Sequence, residues 1–145
     1  MKVIETISEV NSSINVNNIF LVTGNRSYDQ SGAREAIEAA FPDAEITRFS
    51  DFQVNPQILE VAEGITLFEQ KSYDLIIAVG GGSPLDVAKG IRYAAFQKEP
   101  ALDVLTGNAS VKQIAQTPLL AIPTTAGSGS EATQYAVLYH EKQKY

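Results

Sequence analysis

The chain has 145 residues, no cysteine, 44% hydrophobic and 19% charged residues, and a formal net charge of −6. That is the composition of one globular domain whose core needs no disulfide or metal staple. The acidic balance argues against nucleic acid and anionic membrane surfaces as partners, although local backbone dipoles can still hold a small anion.

The N-terminal "KVIETISEV" reads as an edge strand, either pairing with a second copy or tucked against its own sheet, which leaves a homo-oligomer open. "IFLVT" (19–23) is a β-rich run that ends at Gly24, and "GAREAIEAAF" follows with Ala33, Ile37 and Ala40 on one helical face. "EITRF" (45–49) is a second strand. A helix then opens at Pro56, with Leu59, Ala62, Ile65 and Leu67 or Phe68 inward. "DLIIAV" (74–79) is continuously apolar, as a strand covered on both faces must be. A helix from Pro84 to about Phe96 carries Leu85, Ala88, Ile91 and Ala95 as its stripe. Residues 98–117 read as a short helix plus loop, "PLLAIP" (118–123) as a fourth strand, and "GSEATQYA" as the start of another helix. Strands alternating with helices of this length predict right-handed crossovers and a doubly wound, mostly parallel α/β sheet, Rossmann-like, with helices on both faces. The tail "YAVLYHEKQKY" reads as a strand and charged turn beginning something new, as at a cut near a domain boundary.

Two loops stand at predicted strand carboxyl ends, where open parallel sheets bind ligands. The first holds Gly80, Gly81 and Gly82, then Ser83 as N-cap, Pro84 as first helical residue and Asp86 completing a capping-box pattern. Taken alone it fits a tight capped turn as well as a phosphate cradle, and it is neither G-x-G-x-x-G nor a Walker A sequence. The second, "IPTTAGSGSEA" (122–132), again follows an apolar strand and precedes a predicted helix. It offers the hydroxyls of Thr124, Thr125, Ser128 and Ser130, with Gly127 and Gly129 permitting close approach. Two such loops at one sheet edge predict a shared ligand, with the glycines letting a phosphate come near the backbone.

"GGGSPLDVAK" and "IPTTAGSGSE" resemble the two hallmark loops of the iron-dependent (group III) alcohol dehydrogenases, and the whole chain resembles that family's first, dinucleotide-binding domain. The resemblance implies that Gly82, Ser83 and Asp86 line a nicotinamide cofactor, NAD or NADP, beside Gly81. Thr124, Thr125, Ala126, Gly127 and Ser128 match a second cofactor element, with Ser128 replacing a threonine. Asn55, in "VNPQ", matches the family's Asn-Pro element, and Lys144 matches a lysine past the domain's last helix. Gly24 stands where the family commonly has an aspartate after the first strand. The missing acid removes a repulsion, and Arg26, which follows with Asn25, is placed either to pair with a 2′-phosphate or to face solvent beyond a simple turn at Gly24; the expectation is NADP(H) binding at least as tight as NAD(H).

The family holds its iron, or zinc, on one Asp and three His of a separate helical C-terminal domain. This chain has one histidine, His140, which reads as an exposed residue of the charged tail. The expectation is therefore a cofactor-binding domain, residues 1–145, without catalytic or metal residues and without turnover of its own, set in a cytoplasmic oxidoreductase acting on a small alcohol or aldehyde. A glycerol dehydrogenase or dehydroquinate synthase domain, or a nucleotide-binding module without chemistry, are the alternatives. Glu60, Glu63 and Glu69 read as a solvated helix face. Phe49 and Phe52 read either as core or as a wall near an adenine.

Overall fold

A computed structural model describes residues 2–141, 143 and 144, with side chains described at residue 7 and from 9 to 141. Four parallel strands, β1 (Asn18–Thr23), β2 (Glu45–Phe49), β3 (Leu75–Gly80) and β4 (Leu119–Pro123), pair in the order β2-β1-β3-β4. Side chains alternate across the strands and so build two cores. Phe20 and Val22 of β1, with Ile76 and Ala78 of β3, pack under α4 (Ile58–Phe68) and α5 (Gly82–Ala94). Ile19 and Leu21, with Leu75, Ile77 and Val79, pack against α1 (Lys2–Ser13) and α3 (Ala33–Ala40) on the other face. The connection after β1 thus covers one face and the connection after β3 the other. This reversal opens a crevice between β1 and β3 at their carboxyl ends.

The sheet and the two-sided cover match the sequence-based expectation; several details do not. "KVIETISEV" is helical, because Ile7, Val10 and Ile14 recur at helical spacing and bury against the α3 side of the sheet. The pairing edge that motivated a homo-oligomer is thereby removed. In α4 the buried face is Ile58, Val61, Ile65 and Phe68, whereas Leu59 is 63% exposed. The helix begins two residues later than Pro56 suggested, behind Gln57, whose N–H donates to Glu60 Oε2 at 2.7 Å in a capping box. Glu60 is thus a cap rather than part of a solvated face. "GSEATQYA" makes only a single 3-10 turn (Ser130–Ala132), since Gly127 and Gly129 sit in the left-handed region just before it and the chain extends again at Thr133. A short α2 (Ser27–Gln30) follows β1, and α6 (Ala101–Leu105) is the short helix expected between 98 and 117. The tail forms an antiparallel pair, β5 (Tyr139–His140) with β6 (Gln143–Lys144), turning at Glu141 with φ of 56°. His140 is half-buried rather than exposed.

Phe20 anchors the α4–α5 side, with Phe68 and Tyr73 ring centroids 5.2 and 5.1 Å away. Phe49, also buried, stacks at 6.5 Å. This packing fixes the carboxyl ends of β1 and β2, from which the first site residues emerge.

Candidate functional site

The loop after β3 is shaped by three glycines that do three different things. Gly80 has φ of +145°, and a Cβ there would stand 2.7 Å from Pro84 Cγ, so the backbone itself demands glycine. A Cβ on Gly81 would meet Thr125 Oγ1 at 3.1 Å, so this position is kept small by the second loop. Gly82 differs. Its nearest neighbour is Ser128 Cβ at 3.8 Å, and its backbone is ordinary for a first helical residue. Nothing in the protein requires a glycine at 82, and the missing side chain leaves room for something else.

The helix starts earlier than the sequence implied. Gly81 is the N-cap and Gly82 the first residue of α5, so Ser83 and Asp86 do not form a capping box. Ser83 is freed to turn outward, where its Oγ accepts from the Asn55 N–H at 3.4 Å. Asn55 itself has φ of 61°, a conformation asparagine tolerates better than most residues. Opposite, the Thr124 N–H donates to the Gly80 carbonyl at 2.9 Å, which seats the second loop beside the first. Thr125 and Ser128 lie exposed along its rim. Thr124 Oγ1 is buried and, among the described residues, has no hydrogen-bond partner. Such an orphan is a costly arrangement unless something completes it. Gly82, Ser83, Asn55, Thr124, Thr125 and Ser128 are therefore brought together. The side chain of Lys144 lies outside the described residues.

A cleft of about 650 Å³ runs from Gly81, Gly82 and Ser83 past Phe52 and Val54 to Gly24, Asn25 and Arg26. Phe52 thus walls the cleft while Phe49 belongs to the core. The first turn of α5 leaves its amides without intrahelical partners and presents a positive helix end at one side of this cleft.

Asp86 has other work. It is 9% exposed; Oδ1 accepts from Ser130 Oγ at 2.7 Å, and Oδ2 from the Val137 N–H at 3.1 Å. Lys89, one turn further along α5, donates to the Ser130 carbonyl, to Ser130 Oγ at 3.0 Å and to the Tyr135 carbonyl at 2.8 Å, and stands 3.7 Å from Asp86. These two residues rivet the segment after the second loop to the helix that follows the first. Lys89 was not singled out from the sequence. Its signal is the i,i+3 spacing from Asp86 in "DVAK".

The family model described as iron-containing alcohol dehydrogenase matches residues 2–145. The chain belongs to the iron-containing alcohol dehydrogenase family. Among its relatives in that family's company, a choline dehydrogenase from Bacillus subtilis is 33% identical over 92% of this chain and 34% of its own length. A sulfoacetaldehyde reductase from Bifidobacterium kashiwanohense, solved in complex with NAD+, superposes with a TM-score of 0.82 at 28% identity, covering 97% of this chain and 38% of that one. An NADH-dependent butanol dehydrogenase from Thermotoga maritima shares the fold, with a TM-score of 0.84 at 23% identity over 98% of this chain and 36% of that one. The chain thus spans about a third of the length of the proteins it matches. Among its described residues no three His, Cys, Asp or Glu side chains converge to hold a metal ion, so they do not fit the family's iron. No helix among them is long and apolar enough to cross a membrane.

Proposed function

We propose that residues 1–145 form the nicotinamide dinucleotide-binding domain of a metal-dependent alcohol dehydrogenase, with the metal held by residues outside it. The observation that carries this reading is Gly82, the one loop glycine that neither backbone conformation nor packing explains. Its open flank and the amides that begin α5 border a space suited to a pyrophosphate, and the orphaned Thr124 hydroxyl belongs to the loop bonded alongside at Gly80. Asn55 and Ser83 close one side, and Thr125 and Ser128 the other. Gly81 contributes by its smallness, letting Thr125 approach, and Asp86 acts by positioning the second loop through Ser130. The chemistry supplied by the bound dinucleotide is hydride exchange at its nicotinamide ring, with a small alcohol or aldehyde as the other party. This chain's residues hold and orient the cofactor for it. The NAD+-bound reductase that shares the fold at 28% identity supports the assignment.

Calorimetric titration of the chain with NADH and NADPH tests the reading. Binding of at least one, abolished by Gly82→Val in a variant that melts as the parent does, is the expected result. Unchanged affinity in that variant would refute the placement.

A further inference from the structure

The geometry points to Arg48, on β2, as the residue that selects a dinucleotide carrying a 2′-phosphate; this rests on the cofactor reading above. Arg48 interrupts an otherwise β-forming strand on the same face as Ile46, and its side chain runs toward the carboxyl end of β1. There Nε donates to Thr23 Oγ1 at 2.7 Å and Nη2 to the Gly24 carbonyl at 3.2 Å. Thr23 is the last residue of β1 and Gly24 lines the cleft. The guanidinium also lies over the Tyr28 ring, 4.8 Å from its centroid. It is thus fixed in three directions before any ligand arrives, and its remaining N–H donors have no partner among the described residues.

The charge around it is the second half of the argument. Tyr28 carries a second guanidinium, Arg34, at 5.6 Å, but Arg34 is neutralised by Asp29 at 3.3 Å and Glu38 at 3.8 Å. Arg48 has no carboxylate partner among the described residues. In a chain of net charge −6, a half-buried guanidinium left uncompensated, bonded to the carbonyl of the cleft-lining Gly24, is an arrangement with an electrostatic cost. A dianionic phosphate would balance it with charge-assisted hydrogen bonds. The location agrees: in sheets of this winding the adenosine ribose lies over the ends of the first two strands, where an arginine accommodates a 2′-phosphate. Gly24 itself puts no side chain into the cleft, and the nearest one, Ser27, whose Oγ lies 2.9 Å from where a Cβ at 24 would stand, is a small hydroxyl that lines the same cleft. Arg26, which the sequence suggested for this role, lines the same cleft but is exposed, with no contact that fixes it among the described residues.

The test compares wild type, Arg48→Met, Arg48→Lys and Arg26→Met by equilibrium titration with NADPH and NADH, and with 2′,5′-ADP against 5′-AMP as the minimal pair differing by one phosphate. Arg48→Met should weaken NADPH and 2′,5′-ADP by about tenfold or more while NADH and 5′-AMP stay within about twofold. Arg48→Lys, which keeps the charge and the contact with Tyr28, should fall between. Equal losses for both cofactors would show that Arg48 only holds the rim together, and a selective loss confined to Arg26→Met would move the role to Arg26; either overturns the inference. If wild type binds NADH without any gain from the 2′-phosphate, this inference fails and the cofactor reading stands. If it binds neither, both fail together.

Discussion

Ser130 Oγ donates to Asp86 Oδ1 at 2.7 Å, and Lys89 donates to that same hydroxyl at 3.0 Å. Asp86 and Lys89 belong to α5, which starts at the first loop, and Ser130 follows the second, so this small buried network sets the distance between the two loops. Removing one partner strands the others. Ser130→Ala should cost about 1–3 kcal/mol of stability, the range for leaving buried polar groups unpaired. It should also open residues 124–137 to protease well below the melting temperature, read by limited proteolysis beside a denaturant melt.

Gly80 and Gly82 should answer alanine in opposite ways. Gly80→Ala forces a side chain into φ of +145° and against Pro84, so stability should fall by more than about 1 kcal/mol. Gly82→Ala meets only Ser128 Cβ at 3.8 Å and improves a helical position, so stability should hold or rise by roughly 0.5–1 kcal/mol while dinucleotide affinity drops. Melts and titrations on the two variants separate fold from binding.

Gly24→Asp should reverse the cofactor preference. The new carboxylate would stand beside the Arg48 guanidinium, which already reaches the Gly24 carbonyl at 3.2 Å, and would repel a 2′-phosphate. A Cβ at 24 comes 2.9 Å from Ser27 Oγ, a hydroxyl that can rotate away. NADPH affinity should fall by about tenfold, and NADH affinity should hold or improve. Dissociation constants for both cofactors on both proteins check this.

Tyr28 gives a pH signature. Burial raises its pKa above the ordinary 10.0, with the nearby arginines opposing. The unfolded chain then loses the phenolic proton first, so the folded state holds more protons once the pH passes about 10. The stability this group contributes is complete below that pH and is lost as the pH rises through the folded value. Tyr28→Phe should flatten this alkaline fall, measured as denaturation midpoints from pH 8 to 11, a span of about three units around the reference value.

The legible parts of the fold were those where local pattern and tertiary role coincide. β1 and β3 announce themselves as apolar β-branched runs because both faces are covered. The N-terminal helix was misread because Val3, Ile4 and Ile7 favour strands, while the burial of Ile7 is a tertiary fact. The two loops were visible as small-residue stretches after strands, but sequence treats their glycines alike. Only the backbone and neighbours of each position separate Gly80, whose conformation demands glycine, and Gly81, crowded by Thr125, from Gly82. Arg48 escaped notice for a similar reason. Its spacing from Gly24 is 24 residues, and only the pairing of β2 beside β1 brings them into contact.

The placement of the dinucleotide is tested most directly by amide chemical-shift mapping of the isotope-labelled chain titrated with NADPH. The account predicts that the largest shifts fall on Gly24, Gly81, Gly82, Ser83 and the segment from Thr124 to Ser128, with the side of α5 bearing Lys89 and Tyr93 little changed. Shifts centred instead on the cavity of about 910 Å³ between α5, β4 and Tyr135, with Gly82 and Ser83 unmoved, would contradict it.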